Sequence, residues 1–215
     1  MTAAYFIFLV FAFLLGSVPT GLILGKMAGR GDVRKVGSGN IGATNVMRAY
    51  GKKMGCLTLG LDVFKGFLPV AFVVFLGNRV LGLMINNSVA PSVVALAVAL
   101  GHIYSPWLRF RGGKGVATAL GAALGFSPFS ALPSLALFLT TVTATRYVSL
   151  GSVLGALALP LYWLYRMTYH PRSDMPWVVL VWSLLAAVVI LRHSGNIRRL
   201  VNGKERKIGV NNKEQ

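Results

Sequence analysis

From Tyr5 to Leu24 the chain runs for twenty residues without a charged side chain. Wound as a helix at about 1.5 Å of rise per residue, that run crosses a hydrocarbon core of roughly 30 Å. The first basic residues, Lys26 and Arg30, follow the run, whereas a cleaved leader carries its positive charge in front. The helix is therefore expected to stay in the membrane with its Lys26 end in the cytoplasm. Composition agrees: 55% of the 215 residues are apolar and 13% charged, with a mean hydropathy of +0.66. A soluble enzyme, with roughly a quarter of its residues charged, is excluded, as is a disordered chain. The single cysteine, Cys56, excludes an internal disulfide framework and any multi-cysteine zinc or iron–sulfur site.

Further runs with few or no charges are Met54–Leu76, Val89–Leu108, Val148–Tyr165 and Trp177–Leu191. The stretch Val116–Thr145 is long for one crossing and short for two, and Ser127-Pro128 interrupts it. Charge decides between them. Two crossings leave eighteen Lys and Arg on one side of the membrane and three on the other, whereas a single crossing leaves twelve against nine. The positive-inside rule selects two. The expected fold is an all-α integral membrane protein of seven transmembrane helices, N-terminus outside and C-terminus cytoplasmic. It forms a single polytopic domain over 1–215, with a short basic cytoplasmic tail from about 198 to 215. The segment Val116–Phe126 is then a short helix after the second cytoplasmic loop, about 17 Å long, sheltered by protein or by thinned lipid.

The net charge of +17 is spread over several loops and the tail, as orientation in a membrane requires. The expected partners are anionic lipid headgroups or phosphorylated substrates, not nucleic acid. Three cytoplasmic segments carry the relevant chemistry. The first includes Gly37, Ser38, Gly39, Asn40, Gly42, Thr44, Asn45 and Arg48. Glycines let backbone N–H groups approach an anion, the short polar side chains add neutral donors, and an arginine can fork onto two phosphate oxygens. A flexible turn with orientation-setting charge is the plainer alternative. Gly37, Gly39 and Gly42 match G-x-G-x-x-G, but no strand precedes them, so a dinucleotide fold fails in context. The second segment holds Gly112, Gly113, Lys114 and Gly115 ahead of the short helix, an anion site at a helix N-terminus or a membrane-interface turn. It lacks the residues of a Walker A loop. The third holds His193 and Asn196 at a spacing of three, one face of a continued helix; an interfacial histidine is the alternative.

Within the spans, Asp62 and Lys65 stand three apart and either pair structurally or support the site. His102 is either a helix-end cap or a substrate contact. No serine sits in a G-x-S-x-G elbow, no histidines have H-E-x-x-H spacing, and no histidine is followed at the fifth position by Asp. Catalysis must then run on positioning and charge.

In this order, Gly37-Ser38-Gly39-Asn40 with Gly42-Ala43-Thr44-Asn45 and Arg48, Asp62-x-x-Lys65-Gly66, Gly101-His102 with Gly112-Gly113-Lys114-Gly115-Val116-Ala117-Thr118, and Arg192-His193-x-x-Asn196-Ile197 resemble the bacterial acyl-phosphate-dependent glycerol-3-phosphate acyltransferases of the PlsY type. The resemblance spans about residues 16 to 209. It implies a multi-pass enzyme of the bacterial inner membrane that moves a fatty acyl group from acyl phosphate to the 1-hydroxyl of glycerol 3-phosphate. The products would be lysophosphatidic acid and phosphate, with no cofactor and no metal. By the same resemblance Ser38, Arg48, Lys114, His193 and Asn196 are the catalytic residues. Gly37, Gly39, Asn40, Gly42, Thr44, Asn45, Gly112, Gly113 and Gly115 bind substrate phosphate, while Asp62, Lys65 and His102 support the site. A soluble enzyme that makes the acyl phosphate is an implied partner. A transporter for an anion or phosphate ester is the rival reading, expected to show an inverted repeat and a midplane site.

Overall fold

A computed structural model describes residues 2–83 and 88–209, and all regular structure in these residues is helical. The chain opens with α1 (Ala3–Ser17), capped by Thr2, followed by α2 (Thr20–Met27). Pro19 has no N–H to give and breaks the run, so α2 leaves α1 at 45°. The first Gly-rich loop leads into the amphipathic α3 (Ala43–Tyr50), then α4 (Lys52–Val80), 29 residues long. After α5 (Val89–Ile103) come a single 3₁₀ turn at Pro106–Leu108 and α6 (Val116–Phe126). The chain breaks at Ser127, and α7 (Pro128–Thr145) starts on the proline, where a missing N–H costs nothing. A tight turn through Arg146 joins α8 (Val148–Tyr169); α9 (Met175–Leu191) and α10 (Ser194–Val201) follow, bent 58° apart.

Four segments (α4, Val89–Leu108 made of α5 with the 3₁₀ turn, α7 and α8) are long and apolar enough to cross a membrane, and counting α1–α2 and α9–α10 as bent spans makes six. The eleven-residue α6 is too short to cross unaided. The expected basic tail is in part helix: its first residues belong to α10, 202–209 fold back, and 210–215 lie outside the described residues.

Two helix pairs approach closely through small residues. A Cβ at Gly66 would meet the Thr118 carbonyl and one at Gly121 the Val63 carbonyl, which brings α4 against α6. Gly16 and Gly101 do the same for α1 and α5, against the Val98 and Phe13 carbonyls. Where lipid removes any hydrophobic advantage of one apolar contact over another, such close packing holds helices together. Phe6, Ile7, Phe75, Phe129 and Leu161 point outward, the lipid-facing surface of such a bundle. Inside, Phe126 sets its ring edge-on to Trp163 and Trp182, with centroids at 4.9 and 5.6 Å.

Candidate active site

The first Gly-rich loop is organised by its own asparagines. Asn45, 2% exposed, donates from Nδ2 to the carbonyls of Val33, Val36 and Asn40 at 3.1, 3.0 and 2.8 Å. Its Oδ1 accepts from the Ser38 amide at 2.9 Å. The Asn40 side chain accepts from the Gly42 amide at 2.8 Å. Gly37 has φ +63, and a Cβ there would strike Asn45 Oδ1, so both the backbone sign and the close approach require glycine. The donors of Asn45 are therefore taken up in building the loop, whereas Asn40 contributes acceptors to it, its Oδ1 and its carbonyl, and not its Nδ2.

The second loop also departs from expectation. Gly112 donates its amide to the Ile103 carbonyl at 3.0 Å and Gly113 to that of His102 at 3.1 Å, capping the C-terminus of α5. Neither glycine lines the cavity described below, and neither does Gly39, whose amide goes to Val36. Their expected contribution of N–H groups to phosphate is corrected accordingly: these amides satisfy helix-end and turn carbonyls instead. Gly113 has a steric role as well, since a Cβ there would enter the His102 ring.

These segments converge on one cavity of about 700 Å³. Its polar end is lined by Gly37, Ser38, Asn40, Gly42, Thr44, Asn45 and Arg48, by Lys114 and Gly115, and by His193 and Asn196, with Asp62 and His102 deeper. The first turns of α3, α6 and α10 all border it. Each helix start has N–H groups without an intrahelical acceptor and carries the positive end of its dipole. The rest of the cavity is apolar, running between α6, α7, α8 and α9 past Leu135, Phe138, Val142, Ala156 and Leu159. A second opening of about 1000 Å³ lies near the other end of the bundle, around Phe75, Phe129 and Trp163, and holds none of the expected site residues.

Lys114 donates from Nζ to Asn196 Oδ1 at 2.6 Å across 82 residues of sequence. Burial pulls its pKa down to about 8; Glu205 opposes that fall, and Arg199, Arg48 and Arg192 add to it. His193, 1% exposed, sits in the break between α9 and α10. Its Nδ1 is 2.8 Å from the Val189 carbonyl, which can only accept, so Nδ1 carries the proton. Burial first, then Lys114, lowers the His193 pKa to about 4. The ring is neutral at pH 7, and Nε2 is left as an acceptor. Arg48 lies exposed along the cavity wall, in a helix whose other face buries Val46.

Asp62 and Lys65 do pair, at 2.8 Å, and not with each other alone. Thr20 Oγ1 donates to Asp62 Oδ1 at 2.6 Å, and Lys65 Nζ donates to the Val18 carbonyl at 2.8 Å. His102 Nδ1 stands 3.7 Å from the same carboxylate oxygen. Lys65 lies outside the cavity wall.

Two residues of the cavity went unread in the sequence. Ser149, 6% exposed, stands in the cavity wall with its hydroxyl toward Glu205; a lone serine in an apolar run gives no signal. Glu205 accepts from Asn196 Nδ2 at 2.6 Å and from Arg199 Nε at 2.8 Å. Its isolation as an acid among the basic residues of 192–209 was the available clue. Among the described residues no three His, Cys, Asp or Glu side chains gather where they could hold a metal ion.

Similarity to known proteins extends over this whole arrangement. The family model for glycerol-3-phosphate acyltransferase matches residues 6–203. A glycerol-3-phosphate acyltransferase of Trichlorobacter lovleyi is 46% identical over 207 residues, covering 96% of this chain and 98% of the relative. One from Geobacter sulfurreducens is 47% identical over 194 residues, covering 90% and 92%. Among solved structures, crystal forms of PlsY (YgiH), an integral membrane glycerol 3-phosphate acyltransferase, align over 96% of both chains. Its glycerol 3-phosphate form superposes with a TM-score of 0.83 at 37% identity, and its lysophosphatidic acid form with 0.82 at 36%. With the family's match covering nearly the full length and its motif blocks meeting in one cavity, the chain belongs to the glycerol-3-phosphate acyltransferase family.

Proposed function

We propose that this protein transfers a fatty acyl group from acyl phosphate to the 1-hydroxyl of glycerol 3-phosphate, releasing lysophosphatidic acid and phosphate as the first acylation of phospholipid synthesis. One observation carries the reading: a single cavity joins a cationic mouth, bordered by three helix N-termini, to an apolar channel between α6, α7, α8 and α9. Such a cavity fits two phosphates and one long chain together. Arg48 and Lys114 hold phosphate charge, and Ser38 with the start of α3 orients the acyl phosphate. Neutral His193 accepts a hydrogen bond from a glycerol hydroxyl, with Asn196 beside it. The hydroxyl oxygen attacks the acyl carbonyl carbon, the bond from that carbon to the bridging phosphate oxygen breaks, and phosphate leaves. The hydroxyl proton passes to a phosphate oxygen. Acyl phosphate is an activated anhydride, so a strong protein base is not required, in keeping with a histidine whose pKa is near 4.

In the same reading, α1–α2, α4, α5, α6, α7, α8 and α9 are seven spans of a bacterial inner-membrane protein with its N-terminus outside. The short α6 is sheltered by α4 and α7. The cavity mouth faces the cytoplasm, where both water-soluble glycerol 3-phosphate and a soluble enzyme that makes acyl phosphate would reach it; membrane lipids surround the rest. The excess of Lys and Arg on the loops and tail around that mouth supports this orientation.

The test is direct. Purified protein given palmitoyl phosphate and glycerol 3-phosphate releases phosphate and lysophosphatidic acid without metal or CoA. Equal turnover with acyl-CoA overturns the donor, and uptake of glycerol 3-phosphate into liposomes with no lipid product favours a transporter. Externally applied cysteine reagents that label position 40 or 114 in intact cells overturn the orientation.

A further inference from the structure

Beyond Val201 the chain turns at Asn202 and Gly203, the latter with φ +67, and runs back across the cavity mouth as a strap. The Lys204 amide donates to the Arg199 carbonyl at 2.8 Å and the Ile208 amide to the Arg146 carbonyl at 2.9 Å. The Lys207 ammonium stands 5.4 Å over the Tyr147 ring. This strap brings Glu205 into the cavity wall, beside Asn196 and Arg199.

The geometry points to Glu205 as a positioning residue for the acyl transfer: its carboxylate fixes the Asn196 amide and balances the cations around Lys114 until a substrate phosphate arrives. This rests on the function proposed above. The amide argument follows from donor and acceptor types. An ammonium only donates, a carboxylate only accepts, and an asparagine side chain has one end of each kind. With Lys114 Nζ on Oδ1 at 2.6 Å and Glu205 Oε1 on Nδ2 at 2.6 Å, one of the two amide orientations satisfies both neighbours and the flipped one satisfies neither. Glu205 thus holds the Asn196 oxygen toward Lys114 and, through it, the direction of the ammonium.

The charge argument follows from what faces Lys114. Arg48 comes from α3, Arg192 and neutral His193 from the α9–α10 break, Arg199 from α10, and Glu205 from the strap. Arg206, on the same strap, faces Arg48. Glu205 is the acid in this set, and it stays ionised: burial works against its charge, but hydrogen bonds from Asn196, Ser149 and Arg199 and the charge of Arg199 outweigh it. Without that carboxylate, a partly buried lysine faces like charges alone in the substrate-free site.

The experiment uses the full chain in detergent or nanodiscs with Glu205→Gln, Glu205→Ala and Glu205→Asp. Lys114 is titrated by competitive acylation with acetic anhydride across pH, read by mass spectrometry, and turnover is measured with palmitoyl phosphate and glycerol 3-phosphate. In Glu205→Gln the Lys114 titration moves down by about one pH unit, the alkaline limb of kcat/KM moves with it, and kcat falls about tenfold. Glu205→Ala loses more, because the amide anchor goes too, and Glu205→Asp restores part of both readouts. A strap that is merely structural predicts otherwise: Lys207→Ala, which loosens it at Tyr147, would then match Glu205→Gln. A Lys114 titration in Glu205→Gln that coincides with wild type overturns the proposal. Should Glu205→Ala fail to fold, the near-isosteric Gln variant decides alone. Wild-type protein without acyl transfer overturns the function and not the Lys114–Glu205 relation, which the acylation profile measures independently.

Discussion

The ammonium of Lys65 lies 2.8 Å from the carbonyl oxygen of Val18, 47 residues earlier in the chain. That carbonyl stands at the break in the first span, where Pro19 gives no N–H to continue the helix. Asp62 balances the lysine's charge at 2.8 Å and also accepts from Thr20, the first residue of α2. On the other side of the break, Ser17 accepts from Ser105 and Trp107, both at 2.7 Å, within the second loop. One buried polar knot thus fixes the bend from which the first Gly-rich loop emerges and ties the second to it. The contacts of Lys65 and Asp62 in this knot are to each other and to the two sides of the break, Val18 and Thr20.

Removing one member of the knot leaves the other as an uncompensated buried charge, at a cost of about 3–5 kcal/mol. Asp62→Leu and Lys65→Met are each expected to lower the thermal midpoint in detergent sharply, and the double variant to recover most of it. Activity in the double variant should stay below wild type, since the Val18 carbonyl has lost its donor. A double variant no more stable than the singles would show that packing, not charge, is the dominant loss.

At the cavity mouth, Lys114→Ala and Arg48→Ala are each expected to lower kcat/KM by about 10²–10³-fold, the size of effect seen when a preorganised donor to a developing anion is removed. Thermal midpoints should move little, because neither side chain belongs to the packed core. Near-normal rates in both variants would remove the phosphate cradle from the mechanism.

Lys114 also sets an alkaline limit. Its pKa is held near 8, so its charge is present below that pH and lost as pH rises through it. The limb of kcat/KM, which reports the free enzyme, should fall above about pH 8, and bound phosphate, by opposing charge, should move the limb of kcat higher. His193 becomes charged only near pH 4, so an acid limb near pH 6 belongs to the substrate phosphate and should appear unchanged in His193→Gln. A wild-type kcat/KM that is flat through pH 9.5 would contradict the assignment of Lys114.

How much of this was written in the sequence depends on the kind of interaction. The turn at Ser127-Pro128 was legible because charge placement is a property of the whole chain, and proline marks the helix start. The Gly-rich blocks were legible because so many small and donor residues in a membrane protein have few other uses. What the glycine amides do was not: Gly112 and Gly113 cap α5 rather than face an anion, and only the path of the backbone decides that. The uncharged run Val89–Leu108 is one candidate span, made of α5 to Ile103 and the 3₁₀ turn at Pro106–Leu108, with those amides capping the end of α5. Whether the last helix runs on through His193 could not be read from spacing: a 58° bend puts the ring in the break. The meeting of Lys114 with Asn196 and Glu205 joins positions up to 91 apart in sequence, beyond the reach of any local pattern.

The apolar arm of the cavity offers a prediction about chain length. Ser149 marks its polar end on α8, and Gly155 lies six residues further along that helix, about 9 Å deeper at 1.5 Å per residue. A Cβ on Gly155 would sit at 3.0 Å from the Ser134 carbonyl and 3.4 Å from Phe138 Cβ, so the wall there is already close. Gly155→Leu forces a branched side chain into the α7–α8 seam that walls the channel and so narrows the path a long acyl chain must take, while a short chain ends before it. The variant is expected to keep turnover with octanoyl phosphate within about threefold of wild type and to lose about tenfold or more with palmitoyl phosphate, roughly the effect of one to two displaced methylenes or more. Parallel assays with the two donors at saturating glycerol 3-phosphate measure the ratio directly. An equal loss with both donors would mean that the substitution disturbs the α7–α8 packing as a whole, and an unchanged ratio would place the acyl chain outside this channel.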